Sequence, residues 1–250
     1  MSKFFSSYPF MYESVVWSED GIPHSLRFKD RYHSCAGGLA QAATVFVAGC
    51  GLPGNWRGKT QFTVLETGFG LGLNFLSTWA AWEADSQRCD QLHFCSVEAY
   101  PVSSTDMVRA VCASVSSETD MAVLGRIQGL AQQLASVWQG LSPGIHVFHF
   151  AQGHVRLTLA VGEVGQVLPT LDCQADAVFL DGFSPSINPD MWSLSTLQAV
   201  ALHCRPGTTL ASYTVAKSVC EGLKQLGFLV SKCKGLPPKR DRLEAVFQSS

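Results

Sequence analysis

The spacing of apolar positions changes along this chain, and each change marks an element. Residues 62–65 form a short β-favouring run, followed by Glu66, Thr67 and glycines at alternate positions, Gly68, Gly70 and Gly72. Leu73, Phe75, Leu76 and Trp79 then recur at helical spacing. The pattern predicts a strand over 62–66, a glycine turn, and a helix over 72–84. Residues 92–97 alternate as a second strand should. Ser103 and Ser104 can cap a helix running towards Ala113. Met121, Leu124, Ile127, Leu130, Leu134 and Val137 share one helical face within 120–138. Residues 145–150 and 155–161 alternate on either side of Gly153, which predicts a hairpin.

Residues 177–180 are continuously apolar, the pattern of a central parallel strand. Asn188-Pro189-Asp190 opens another helix, which Arg205-Pro206-Gly207 ends. A strand over 208–214, a helix over 216–226 stopped by Gly227, and strands over 228–233 and 243–248 complete the chain. This alternation predicts an α/β fold: a doubly wound, Rossmann-like sheet with an antiparallel last strand.

Residues 1–58 lack long periodic runs. Asp20-Gly21 lies between short β-favouring stretches and suggests a hairpin, and residues 44–48 suit a strand or a short helix. The expected organisation is a β-rich N-terminal appendage over 1–58 beside a Rossmann-like domain over 59–250. The charged cluster Arg27, Lys29, Asp30 and Arg31 reads as a solvated turn.

Composition narrows the class. Net charge is −2 and hydrophobic residues make up 46%, so no global basic field advertises nucleic acid. The nine cysteines include no CxxC and none at zinc-ligand spacing with a histidine, which favours reduced thiols in a cytoplasmic protein over a metal or disulfide framework. No signal peptide or membrane span is expected, and no metal. His146 and His149, three apart on a strand, point to opposite faces and are ordinary histidines. From Lys217 to Arg242 the chain turns basic: Lys217, Lys224, Lys232, Lys234, Lys239, Arg240 and Arg242 against Glu221 and Asp241. A phosphate backbone can be met there, and so can plain solvent.

The glycine turn permits close backbone approach to a ligand and ends at a helix N-terminus. Glu98 closes the second strand, where a doubly wound fold holds ribose hydroxyls. It follows Gly68 by about thirty residues, against the ~20 of a dinucleotide fingerprint. The GxGxG spacing also departs from GxGxxG, so S-adenosylmethionine is favoured over NAD. Glu163 follows a strand end and suits either the cofactor's adenine or a surface turn. Asp181 sits at the end of the buried strand, beside Phe183, and is the best catalytic candidate.

ETGFGLGLNFL over residues 66–76 and DAVFLDGFSPSINPDMW over 176–192 resemble the methyltransferase domain of the bacterial tRNA 5-methylaminomethyl-2-thiouridine biosynthesis family. Residues 17–34, 38–56 and 234–242 resemble it more loosely. The resemblance implies N-methylation, by S-adenosylmethionine, of 5-aminomethyl-(2-thio)uridine at the tRNA wobble position. Whether a partner from the upstream modification machinery hands over the substrate stays open. The family's bifunctional members carry an FAD-dependent oxidase domain, and a stand-alone form without it is expected here. By the same resemblance Glu66, Gly68, Gly70 and Gly72 surround the methionine part of the cofactor, with Asn74 in the same binding set. Glu98 holds the ribose and Glu163 the adenine. Asp181 and Phe183 face the methyl group and the amine, and Lys234, Lys239, Arg240 and Arg242 meet tRNA. Where the family often has Glu-Glu-Thr-Arg this chain has Ala40-Gln41-Ala42-Ala43, and Lys217 replaces a usual glycine. Two other readings stay open: methylation of a different amine, and a non-catalytic cofactor-binding subunit.

Overall fold

The expected central strand forms between two neighbours it meets only through crossovers. In a computed structural model describing residues 12–114 and 120–248, the elements in chain order are these. Strands β1 (Val15–Trp17) and β2 (Pro23–Ser25) come first, then α1 (Gly38–Gln41), which continues as a π-helical turn over Ala42–Val47. Next are β3 (Gln61–Glu66), α2 (Leu73–Ala84), β4 (Gln91–Glu98), α3 (Ser104–Ala113) and α4 (Met121–Val137). The hairpin β5 (Gly144–Phe150) and β6 (Val155–Val161) leads to α5 (Val164–Val167) and β7 (Ala175–Phe179). Helix α6 (Leu194–Leu202), β8 (Cys204–Ser212), α7 (Lys217–Gln225), β9 (Phe228–Lys234) and β10 (Asp241–Phe247) finish the chain.

The main sheet has eight strands in the order β5-β6-β4-β3-β7-β8-β10-β9. β6, β4, β3, β7 and β8 pair in parallel, while β10 is antiparallel to both β8 and β9. The last strand is therefore antiparallel, as expected, and sits one place in from the edge. β5 pairs antiparallel with β6, which confirms the hairpin.

Side chains alternate across β3 and feed two cores. Phe62 and Val64 join Phe46, Trp56, Phe75, Trp79 and Phe94 under α2 and α4. Leu65 joins Cys95, Val178, Leu197, Leu210 and Leu223 under α6 and α7. Truncating a fully buried ring such as Phe75 to Ala costs ~3–5 kcal/mol.

One open choice is decided and one expectation needs correction. The hairpin at Asp20-Gly21 forms as β1 and β2, in a separate two-stranded sheet. Residues 38–47, however, are helical, and Val45, Phe46 and Trp56 pack into the first core. Their short apolar run carried no period to separate helix from strand. The strand expected over 208–214 starts earlier, at Cys204, and runs through Pro206 and Gly207. A register shift between Ala175 and Ala177 of β7 absorbs the proline, as a bulge does. Residues 1–11, part of the expected N-terminal appendage, lie outside the described residues.

Candidate active site

Chain order reverses at β3: β4 and β6 lie to one side, β7 and β8 to the other. In an open α/β sheet that reversal leaves a crevice at the carboxyl ends of the strands. Here it is a cavity of about 310 Å³, within the range of small-molecule sites. Gly68 and Gly70 wall it from the end of β3, Glu98 from β4, Glu163 from beyond β6, and Asp181 and Phe183 from beyond β7.

The glycine turn is tied on both sides. Thr67 N–H donates to Phe179 O at 3.3 Å, and Phe69 N–H to Val97 O at 3.1 Å. Thr67 Oγ1 also donates to Asp181 O at 2.7 Å. Gly68 runs so close to the β7 loop that a Cβ there would lie 3.2 Å from Asp181 O and 3.3 Å from Gly182 Cα. Gly70 has φ +51°, and Gly72, which caps α2, has φ +73°. These left-handed conformations are why the turn takes glycine.

Glu98 accepts Gly70 N–H at 2.7 Å on one oxygen and Tyr100 N–H at 2.8 Å on the other. Each oxygen keeps a lone pair, the acceptor set that the hydroxyls of a vicinal diol need. Burial raises the Glu98 carboxyl above its ordinary range, and the two amide hydrogen bonds oppose that. Glu163 is exposed and accepts the Tyr100 hydroxyl at 2.8 Å, so it sits at the outer rim.

Asp181 Oδ1 accepts Gly182 N–H at 2.8 Å, and Oδ2 accepts Asn74 Nδ2 at 2.9 Å. Burial pushes this carboxyl up to about 6, against those hydrogen bonds and the nearby Lys239 charge. Phe183 stacks on Phe28 with ring centres 4.5 Å apart and meets Tyr32 edge-on at 5.1 Å. The peptide bearing Asp181 and Phe183 is pinned by the Tyr213 hydroxyl on Gly182 O at 2.8 Å and by Trp192 Nε1 on Phe183 O at 2.7 Å.

Glu66 does not wall the cavity. It is 0% exposed and lies beneath the glycine turn, accepting Asn74 Nδ2 at 2.9 Å and Ser96 Oγ at 2.7 Å. Burial pushes its carboxyl up to about 8, which makes it the neutral acid at pH 7. It positions Asn74 rather than facing a ligand.

The four basic positions separate. Lys239 Nζ lies 3.7 Å above the Tyr213 ring, near Asp181, and burial lowers its ammonium. Lys234 is exposed, and exposed Arg240 reaches Asp241 at 4.0 Å. Arg242 is folded back on Glu244 and on Lys234 O, so its charge is already paired.

Sequence reasoning missed the cover of this cavity. Glu13, Phe28 and Tyr32 line it, and the hairpin they flank is held by Glu13, which accepts from Ser25 Oγ at 2.6 Å and Arg27 Nε at 3.2 Å. Arg27 lies 3.9 Å over the Tyr100 ring, and Asp30 accepts Ser184 N–H at 3.2 Å. The cluster expected to be a solvated turn is thus partly spent on contacts, because the hairpin folds over the β7 loop. Gln41 lines the cavity, while Ala40 is exposed and Lys217 pairs with Glu221 at 3.6 Å on the surface.

A family model described as S-adenosyl-L-methionine-dependent methyltransferase matches residues 126–248. The tRNA 5-methylaminomethyl-2-thiouridine biosynthesis bifunctional protein MnmC of Acidovorax sp. (strain JS42) is 53% identical over 237 residues, 95% of this chain and 36% of that protein. Its counterpart from Delftia acidovorans (strain DSM 14801 / SPH-1) is 49% identical over 237 residues, 95% of this chain and 35% of that protein. The chain thus spans about a third of the length of the curated relatives it matches. The crystal structure of MNMC2 from Aquifex aeolicus superposes with a TM-score of 0.72 at 20% identity, covering 95% of this chain and 71% of that one, a likeness of fold. The glycine turn, the free lone pairs of Glu98 and the cavity volume fit the cofactor that the family uses. Residues 126–248 match the S-adenosyl-L-methionine-dependent methyltransferase family, and the chain corresponds to the methyltransferase region of MnmC at about 50% identity over 95% of its length.

Proposed function

We propose that this chain transfers a methyl group from S-adenosyl-L-methionine to the primary amine of 5-aminomethyl-(2-thio)uridine at the wobble position of tRNA. The observation that carries the reading is Asp181, a carboxylate held on two hydrogen bonds at the cavity wall, in a chain matched over 95% of its length by the relatives above.

When bound, the cofactor supplies a methyl group activated on a sulfonium. Glu98 would hold its ribose, the backbone at Gly68 and Gly70 its amino-acid part, and Glu163 with Tyr100 its adenine edge. Asp181 accepts a hydrogen bond from the amine, which points the nitrogen lone pair inward, and it offsets the positive charge the nitrogen acquires. A carboxyl at about 6 is mostly ionised at neutral pH, yet more basic than a solvated aspartate. Phe183, braced by Phe28 and Tyr32, offers a ring face to an unstacked base. The glycine turn brings the two ligands close, and positioning supplies much of the acceleration.

Of this loop's cations, Lys234, Lys239 and Arg240 would meet a phosphate backbone. Such a substrate implies a cytoplasmic protein and an upstream enzyme that hands over the aminomethylated tRNA. Among the described residues no helix is long and apolar enough to cross a membrane. The deciding assay is methyl transfer from labelled cofactor to bulk tRNA lacking the modification, with nucleoside analysis. Label in 5-methylaminomethyl-uridine supports the reading. Calorimetric cofactor binding without label in tRNA would reassign the chain to another amine or to a binding role.

A further inference from the structure

Many cations of this chain are already committed. Lys59 and Arg205 are spent on Asp176, Arg57 on Asp85 and Arg242 on Glu244. In the turn after β2, Arg27 is paired with Glu13 at 3.2 Å. Lys29 and Arg31 in the same turn differ. Both are exposed, and among the described residues neither side chain has an ion pair, a hydrogen bond or a ring contact.

Exposure alternates along this turn. Arg27, Lys29 and Arg31 face solvent, while Phe28 and Tyr32 line the cavity and Asp30 accepts Ser184 N–H at 3.2 Å. Phe28 also stacks on Phe183 at 4.5 Å. The two uncommitted cations therefore alternate with the residues that grip the β7 loop. Lys29 has φ +52°, a left-handed conformation that glycine takes without strain. The turn is fixed by three hydrogen bonds: Lys29 N–H to Ser25 O at 2.9 Å, Phe28 N–H to Ser25 Oγ at 3.0 Å and Arg27 N–H to Glu13 Oε1 at 3.2 Å. A lysine held in a glycine conformation points to a side chain kept for what it does rather than for how the turn folds.

The loop between β9 and β10 reaches the same peptide. Lys239 Nζ lies 3.7 Å above the Tyr213 ring, and the Tyr213 hydroxyl donates to Gly182 O at 2.8 Å. One basic loop is thus tied to Phe183 and Ser184, the other to Gly182. Each feels the other's charges: burial lowers the Lys239 ammonium, Asp181 and Asp30 oppose that, and Arg31 adds to it.

We propose that Lys29 and Arg31 form a second phosphate-binding bank, which together with Lys239 and Arg240 holds the RNA backbone on both sides of the nucleotide entering the cavity. The inference rests on the tRNA reading above. A base turned out of a single-stranded loop into a pocket leaves its 5′ and 3′ phosphates at the mouth. Two basic loops tied to that mouth can meet one phosphate each. Asp30, the acid between the two cations, spends its oxygens on Arg31 N–H at 2.8 Å and on Ser184 N–H.

The test is filter retention of tRNA lacking the modification, from about 50 to 200 mM salt, with S-adenosylhomocysteine bound to the protein. K29Q/R31Q should weaken binding ~10-fold and lower the slope of log K against log salt by about 1 to 2, since each lost phosphate contact removes ~0.7. R88Q/K224Q removes the same charge from exposed positions at the amino ends of the strands and should keep the wild-type slope. Lys29→Gly deletes the cation and the strain together. Its melting temperature should hold or rise while its salt slope falls, which separates binding from folding. A wild-type slope in K29Q/R31Q, or an equal loss in R88Q/K224Q, overturns the second bank and leaves the tRNA reading standing. Wild-type protein that retains no tRNA at any salt overturns both.

Discussion

Asn74 donates one amide proton to Asp181 and the other to Glu66, each at 2.9 Å. One NH₂ group thus links an ionised carboxylate at the cavity wall to a neutral acid beneath the glycine turn. Replacing it with Leu leaves Asp181 Oδ2 without a donor. The carboxyl should then rise further, and the acid limb of kcat should shift above pH 6 with a rate loss of ~10-fold or more. A pH–rate profile of N74L that overlays the wild type would rule out this positioning role.

Asp181→Asn keeps the shape and removes the charge. Methyl transfer should fall by ~10²–10⁴-fold, while calorimetric affinity for S-adenosyl-L-methionine changes little. The wild-type rate should decline as pH falls through about 6, because the carboxylate is protonated there, and the variant should lack that limb. Wild-type-like turnover in D181N would remove Asp181 from the chemistry.

Glu66 ties stability to pH. Its carboxyl ordinarily titrates near 4.5 and titrates near 8 when folded. The fold therefore holds the proton more tightly than the unfolded chain does. The stability this confers is fully present below about 4.5 and is lost as pH rises through 8. Glu66→Gln imitates the neutral acid and keeps an oxygen for Asn74. Its melting temperature relative to wild type should be higher at pH 9 than at pH 4.5; an equal difference at both values would contradict a protonated Glu66.

Gly70 and Glu98 share a hydrogen bond of 2.7 Å, so each should report on cofactor affinity. Gly70→Ala places a side chain at φ +51° and should cost ~1–2 kcal/mol of stability. Glu98→Gln loses the charge and sets its NH₂ against the N–H of Gly70 or Tyr100, so it should weaken cofactor binding by ~10-fold and lower the melting temperature. Unchanged calorimetric affinity in E98Q would move the ribose site elsewhere.

The basic loop divides into exposed and committed cations. Neutralising exposed Lys234 and Arg240 together should raise the KM for tRNA and flatten its salt dependence, with kcat preserved. Arg242→Gln should act differently. It breaks the pair with Glu244 and should lower stability rather than change the salt slope. Equal salt slopes in K234Q/R240Q and wild type would clear this loop of phosphate contacts.

Much of the fold was legible because local period and burial agree. The expected strand over 62–66 is Gln61–Glu66, the helix over 72–84 is Leu73–Ala84, and the helix within 120–138 is Met121–Val137. Where apolar residues run without a period, as in 42–48, the sequence left strand and helix open, and packing against Trp56 and the sheet chose helix. Asp181 was legible because an acid at the end of a buried apolar run has few structural reasons to be there.

The sequence by itself determined the elements, the β3 and β7 strand ends that wall the cavity, and the resemblance that names the cofactor. Each is written in neighbouring residues, where period, turn chemistry and motif act over one element. Only the tertiary structure decided that Glu66 lies below the cavity, that Arg242 is already paired, and that Asn74 joins Asp181 across 107 residues of chain. Such partners depend on how elements pack against one another, and the local pattern of a chain carries no record of that.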